Sequence, residues 1–122
     1  MAMAAGIATI DELSKPGVYE ELRATTDKLA DGLIGVFDAS AVQAAVNRVC
    51  GLLTVFFTGN PVFDMRTASA TDRETFGAFF HSMVDNGVYL PPSQFEAWFV
   101  STAHTDADIE QTLDAVKKSL PA

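Results

Sequence analysis

The run Leu52-Leu53-Thr54-Val55-Phe56-Phe57 restricts most strongly how this chain can fold. All of its residues except Thr54 are apolar, and the last four are β-branched or aromatic. A run of this length and composition is typical of a strand in the middle of a sheet. We therefore predict a central strand over residues 52–57, preceded by a second strand over residues 42–49.

Helical periodicity dominates the chain before this strand pair. The sequence predicts a short helix over residues 4–13 and a second helix that starts at Pro16 and breaks at residues 38–40. The second helix directs Val18, Leu22, Leu29, Leu33 and Val36 to one side. After the strands, residues 58–70 show no period and are predicted to form the longest loop, a kind of segment that is often functional.

The remaining elements complete a mixed fold. Thr71 and Glu74 match a capping box and predict a helix that Asn86-Gly87 ends, and Thr105 is predicted to cap the last helix. Short strands are predicted over residues 88–90 and 97–102. This order predicts an α+β fold, with a small antiparallel sheet of about three or four strands, helices packed on one face, and two helices preceding it. The whole chain, residues 1–122, is predicted to be a single domain.

Charge excludes several classes of partner. The net charge is −8 at pH 7, and the eight Lys and Arg residues form no basic stripe. We therefore expect no binding to nucleic acid or to an anionic membrane surface. The apolar start MAMAAGI lacks the basic residues of a signal peptide and is too short to span a membrane. Cys50 is the only cysteine, which excludes an internal disulfide and favours a reducing compartment.

The sequence contains no complete catalytic or metal-binding pattern. His81 and His104 lie outside any zinc motif, and Ser101 with His104 lacks the G-x-S-x-G elbow of a hydrolase. Schiff-base chemistry requires a lysine in a desolvated apolar setting, and no lysine has one. The four lysines, at helix ends or on polar faces, are Lys15, Lys28, Lys117 and Lys118. We expect no metal site and no catalytic residue in this chain.

Glu96 is the one candidate site residue, because it stands among aromatic side chains. If residues 94–99 are extended, Gln94, Glu96 and Trp98 share one face, while Phe95, Ala97 and Phe99 share the other. The second face is predicted to be core. The first suits either a solvated surface or the wall of a cleft. The alternation of residues alone favours a solvated surface for Glu96, since most single carboxylates are exposed.

A resemblance covers essentially the whole chain. It is carried by the segments AMAAGIATIDEL, VNRVCGLLTVFFT and, most specifically, FFHSMVDNGVYLPPSQFEAWFVSTAHTDADIEQTL. Together they resemble the C-terminal domain of the glutamate-1-semialdehyde 2,1-aminomutase family, a branch of the class III pyridoxal-phosphate aminotransferases. The motif Ser93-Gln94-Phe95-Glu96-Ala97 indicates this family rather than other class III members, which share the AMAAG helix but not, as a rule, this motif.

The resemblance implies a fold type I homodimer, with a large cofactor-binding domain and a small domain built from both chain ends. Such enzymes convert glutamate-1-semialdehyde to 5-aminolevulinate, the precursor of tetrapyrroles. Their Schiff-base lysine and phosphate-binding residues correspond to sequence upstream of Met1. The resemblance therefore implies that this chain holds no cofactor alone, whereas the parent enzyme uses pyridoxal phosphate.

The resemblance also changes the interpretation of Glu96. It implies that Glu96 lies near substrate in the cleft of the parent enzyme. Two positions depart from the family pattern: Trp98 stands where many members have Gly, and Cys50-Gly51 replaces the more usual Gly-Ser. We expect Trp98, beside Glu96, either to narrow the cleft or to fill space that the large domain would otherwise occupy.

The expected function is therefore that of a C-terminal domain fragment, inactive in isolation, whose partner is the large domain of the same enzyme. The expected location is the cytoplasm, or the plastid stroma for a plant or algal source. Two alternatives remain open. The chain is a free-standing binding or assembly module, or it is the same domain of another class III aminotransferase.

Overall fold

A computed structural model describes residues 1–121 of the chain. Within these residues it contains helices before, between and after the strands of one sheet. The elements are α1 (Ala2–Leu13), α2 (Val18–Asp38), β1 (Ala45–Val49), β2 (Leu52–Phe56), α3 (Met65–Ser69), α4 (Arg73–Asp85), β3 (Trp98–Phe99) and α5 (Asp106–Ser119). This architecture confirms the predicted α+β class with a small antiparallel sheet.

The sheet has the order β1-β2-β3, with β2 in the centre as predicted from its composition. Both neighbours pair with β2 in the antiparallel direction, and Val49 faces Leu52 at the turn between β1 and β2. Leu53, Val55 and Phe57 alternate along the central segment and are all buried. Because alternate residues of a strand share a face, this set defines the core face of the sheet.

Helix α2 contacts β1 and β2 and also packs against α5. It begins after Gly17, whose φ of 89° is readily accessible to glycine, and it buries Leu29, Leu33 and Phe37. Arg48 of β1 reaches across to α2, where its Nε lies 2.9 Å from Asp27. The sheet, α2, α4 and α5 therefore share one apolar core. No helix among residues 1–121 has the length and hydropathy needed to cross a membrane.

Two helix starts differ from the sequence prediction. Residues 58–70 are not all loop, because Asp64 caps the short helix α3 by accepting a hydrogen bond from Thr67 N at 2.7 Å. Helix α4 is capped by Asp72, not by Thr71. The Thr71 hydroxyl instead donates to Ala68 O at 2.8 Å and thereby closes α3. The predicted cap at Thr71 is wrong because Thr71 belongs to the end of α3, a helix that the sequence pattern does not predict.

Of two strands predicted from the sequence, one is absent and the other is shorter. Residues 88–90 form no strand, because Val88 N donates to Met83 O at 2.9 Å and so completes the end of α4 at Asn86-Gly87. The strand predicted over residues 97–102 is reduced to Trp98–Phe99. Pro91 and Pro92 provide no backbone N–H for pairing, and a turn follows them directly. The chain therefore meets the sheet only briefly.

Replacing Cys50 by glycine is expected to stabilise the chain. Cys50 opens the two-residue turn between β1 and β2 with a φ of 45°, a left-handed conformation that disfavours a residue with a Cβ. Cys50→Gly should relieve that strain. Because glycine has more freedom in the unfolded chain, part of the gain is lost, and we expect about 0.5–1 kcal/mol of added stability. Urea unfolding measures it.

The neighbouring position provides the matched control. A Cβ on Gly51 would lie 2.8 Å from Cδ2 of Leu22, so Gly51→Ala requires the Leu22 side chain to shift and should not stabilise the chain. Equal midpoints for Cys50→Gly and the parent chain would contradict the prediction, because the strain would then be no larger than the entropic cost of glycine.

Acid should remove part of the stability that Asp72 gives. Hydrogen bonds from the backbone and side chain of Thr75, then from Glu74 N, hold the pKa of Asp72 below its ordinary value. A carboxylate with a lowered folded-state pKa stabilises the fold above its unfolded pKa, and that contribution is lost as pH falls through the folded pKa. The difference in urea midpoint between the parent chain and Asp72→Asn should therefore be larger at pH 7 than at pH 3.

Asp85→Asn, at the other end of α4, is the control for this measurement. A negative charge near a helix C-terminus is unfavourable, so this variant should lose no stability at pH 7. Equal losses at pH 7 for Asp72→Asn and Asp85→Asn would contradict the assignment of the cap.

Candidate functional site

Glu96 lies at the end of a tight turn that follows Pro91-Pro92. Its backbone N donates to Ser93 O at 3.0 Å, and Phe95 N donates to the Ser93 hydroxyl at 3.2 Å. Residues 93–96 therefore form a turn, and the condition that residues 94–99 are extended is not met, because Ser93 accepts from two of the N–H groups that a strand would offer to a neighbour. We refer to residues 93–96 as the Glu96 turn.

The turn reverses the predicted faces. Trp98 and Gln94 are each only 5% exposed, whereas Phe99 is 78% exposed and Phe95 37% exposed. The expectation that Phe95, Ala97 and Phe99 form the core face is therefore wrong. Trp98 pairs with Leu53, whose side chain is buried, and directly paired residues point to the same face. Trp98 therefore fills the core and does not narrow a cleft beside Glu96.

The side of the sheet away from α2 carries exposed apolar side chains. Val49, Leu52 and Phe99 form one row across the three strands, since Val49 pairs with Leu52 and Leu52 with Phe99. Val49 is 67% exposed and Phe99 78%. We call this side, defined by Asn47, Val49, Leu52, Thr54 and Phe99, the outer sheet face. An exposed apolar row of this kind is typical of a contact surface.

Helix α1 is a second unpartnered apolar surface. None of its residues is buried, and Met3, Ile7 and Ile10 are all largely exposed. Their spacing places them on one stripe of the helix. The outer sheet face and α1 together provide apolar area that the described residues leave uncovered.

Glu96 is exposed and follows the exposed Phe95 in the turn. The guanidinium of Arg73, at the start of α4, lies 4.9 Å from the centre of the Phe95 ring, within the range of a cation–π contact. In the part of the chain that the structure describes, no Lys, Arg or His nitrogen lies within 4 Å of the Glu96 carboxylate. Glu96 therefore keeps its oxygen atoms available to accept hydrogen bonds from a ligand.

His104 and Ser101 meet, but only within one local turn. The Ser101 hydroxyl and the Ser101 backbone N each lie 3.0 Å from His104 Nδ1. Because Nδ1 accepts from the adjacent backbone, the contact fixes the loop before α5. No carboxylate among residues 1–121 hydrogen-bonds to His104, so a hydrolase triad is not formed. Likewise, His, Cys, Asp and Glu residues form no metal-binding cluster in this part of the chain.

The lysines do not suit pyridoxal phosphate. All four are exposed, and Lys15, Lys28 and Lys117 form ion pairs with Glu12, Asp106 and Asp114 respectively. A lysine that forms an aldimine needs a desolvated setting that favours its neutral amine. None of the four lysines therefore suits an aldimine with this cofactor.

Comparison with known proteins gives relatives with about half of their aligned residues identical. The sequence is 53% identical over 115 residues to glutamate-1-semialdehyde 2,1-aminomutase of Desulforamulus reducens, covering 94% of this chain and 27% of that protein. It is 51% identical over 120 residues to the Desulfatibacillum aliphaticivorans aminomutase, covering 98% and 28%. The chain thus spans about a quarter of the length of these relatives. No protein-family model matches the chain.

Solved structures share the fold. An omega-transaminase from Sphaerobacter thermophilus superposes with a TM-score of 0.80 at 18% identity, covering 96% of this chain and 26% of that one. The FumI protein of Sphingopyxis sp. MTA144, in its PLP internal aldimine form, gives 0.73 at 24% identity, covering 96% and 25%. At this identity the likeness shows the fold alone, which is that of part of a transaminase.

Substitutions at adjacent positions should separate the two faces. Trp98→Ala is expected to destabilise the chain by about 3–5 kcal/mol, because it leaves a cavity in the core. Phe99→Ala removes a side chain that is mostly in solvent and should change stability by about 0.5 kcal/mol or less. Urea unfolding followed by circular dichroism measures both variants. A larger loss for Phe99→Ala would show that the faces are assigned the wrong way round.

Proposed function

We propose that this chain, which belongs to the glutamate-1-semialdehyde 2,1-aminomutase family and matches its C-terminal part, forms one wall of the substrate cleft of a larger enzyme. That enzyme converts glutamate-1-semialdehyde to 5-aminolevulinate for tetrapyrrole biosynthesis. The observation that carries the proposal is Glu96, an exposed residue whose carboxylate stands on a hydrogen-bonded turn. Sequence identity of about half to aminomutases, over nearly the whole chain, supports it.

Glu96 is the substrate-binding residue of this proposal. The substrate has an amino group, whose N–H donors are matched by an acceptor-only carboxylate. The Ser93 bonds to the backbone of the Glu96 turn restrict the positions that this carboxylate can take. A preorganised acceptor binds with less loss of side-chain entropy than a freely moving one. The role of Glu96 is therefore to bind and orient the substrate.

The chemistry itself requires the rest of the enzyme. When bound, pyridoxal phosphate supplies the electron sink for moving an amino group. Because none of the four lysines here has a desolvated setting, the cofactor is held by the large domain in this proposal. Residues 1–122 act as a single domain that is inactive alone. The complete enzyme is a homodimer in the cytoplasm.

The large domain is also the proposed partner of the exposed apolar surfaces. Relatives are roughly four times longer than this chain, so most of each relative lies outside it. Covering the outer sheet face and the α1 stripe would remove Val49, Phe99, Ile7 and Ile10 from water, and each buried apolar side chain favours association. The same exposure favours the second candidate, a free-standing module that self-associates through α1.

A hybrid enzyme tests the proposal. In it, this chain replaces the matching segment of the Desulforamulus reducens aminomutase. We expect the hybrid to form 5-aminolevulinate from glutamate-1-semialdehyde and the isolated chain to form none. Glu96→Gln should raise the KM of the hybrid about 10- to 100-fold, the effect of losing a hydrogen bond to a charged acceptor.

Glu110→Gln, on the exposed surface of α5, is the matched control and should leave KM unchanged. Activity from the isolated chain would overturn the proposal, and so would a folded hybrid whose KM is insensitive to Glu96→Gln. A stable dimer of the isolated chain with an inactive hybrid would favour the assembly module.

A further inference from the structure

Gln94 is a buried polar side chain without a protein partner. Three polar residues are buried in the described part of the chain: Thr26, Thr71 and Gln94. The two threonine hydroxyls donate to backbone carbonyls, Thr26 to Leu22 O at 2.7 Å and Thr71 to Ala68 O at 2.8 Å. Gln94 Nε2 has no acceptor among residues 1–121. It is therefore the exception to the rule that buried donors are paired.

An apolar residue at this position would avoid the unfavourable burial. Methionine has a similar length and flexibility to glutamine and carries no donor that must be paired. The chain instead retains an amide whose desolvation is uncompensated, and that lowers its stability in isolation. Departures of this kind are expected where function outweighs stability.

The position of Gln94 indicates which function is served. Gln94 lies within the Glu96 turn, two residues before Glu96, and is the only buried residue between Leu90 and Trp98. Gln94 is thus the residue through which this turn packs into the domain. The neighbouring Phe95 ring lies under the Arg73 guanidinium. Because Gln94 and Glu96 share one short hydrogen-bonded turn, the packing of Gln94 influences where Glu96 lies.

We propose that Gln94 is a positioning residue for Glu96, and that its amide donates to an oxygen atom of the polypeptide that covers this turn in the complete enzyme. This inference rests on the proposed function, since the acceptor belongs to the large domain. Phe95 and Glu96, which follow Gln94, are exposed, whereas the Gln94 amide nitrogen is buried. The side-chain torsions of Gln94 must therefore change for its amide to reach the covering chain. Docking of the large domain then fixes the turn, and Glu96 with it.

Gln94→Met, measured in two settings, tests the inference. In the isolated chain it should raise the urea midpoint, because an unpaired buried donor is removed. In the hybrid enzyme it should raise the KM for glutamate-1-semialdehyde about 10-fold and change kcat by less than about 3-fold, because a loosened turn binds substrate poorly. Gln94→Glu, which keeps the length but removes the donor, should raise KM similarly. Gln111→Met, at an exposed position of α5, is the control and should change neither quantity.

Each outcome decides the inference. A lowered urea midpoint for Gln94→Met would show that the donor is already satisfied in the isolated chain, for example by a buried water molecule, and would overturn it. An unchanged KM for Gln94→Met, in a hybrid where Glu96→Gln does raise KM, would overturn this inference alone. If Glu96→Gln has no effect, the proposed function itself fails.

Discussion

The pairing of Leu53 with Trp98 is the contact on which the position of the candidate site depends. Strand β3 has only two residues, and the segment before it is a turn without partners in the sheet. With Trp98 directed into the core, Phe99 must point outward and the chain before Trp98 must leave the sheet at a fixed place. The Glu96 turn is therefore located by one buried indole ring. A smaller residue at position 98 would hold the segment with less contact area, so its placement would depend more on neighbouring structure.

Helix α2 provides the rigid support for that pairing. Its buried side chains lie under β2, and its charged side chains reach outward in two directions. Asp27 contacts Arg48 at the edge strand, and Lys28 lies 2.7 Å from Asp106 at the start of α5. These ion pairs are exposed, so each contributes little to stability. They join α2 to β1 and to α5, while apolar burial provides most of the free energy.

Sequence reasoning succeeded where the signal was local. Thr105 caps α5 as predicted, with Asp108 in the reciprocal bond, because all parts of that cap lie within four residues. The central strand was recognisable from composition alone. The two faces of residues 94–99 were not, because the register of β3 against β2 depends on residues more than forty positions away. Alternation assigned Phe95 and Phe99 to the core, whereas the turn at Ser93 and the pairing with Leu53 decide otherwise. Similarly, no periodicity reveals that Gln94 lacks a partner, since that requires the positions of all surrounding atoms.

Helix α1 has a consequence for how the chain opens. An isolated helix of twelve residues is marginal in water, and α1 gains no burial that would compensate. Its local support comes from bonds such as Thr9 to Ala5 O at 2.9 Å and Ser14 to Ile10 O at 2.7 Å. The amides of α1 therefore exchange with solvent through local unfolding at a much lower free energy than those of β2 or α2. A polypeptide that covers α1 must also supply the free energy that orders this helix. Its affinity for the chain is therefore reduced by that free energy.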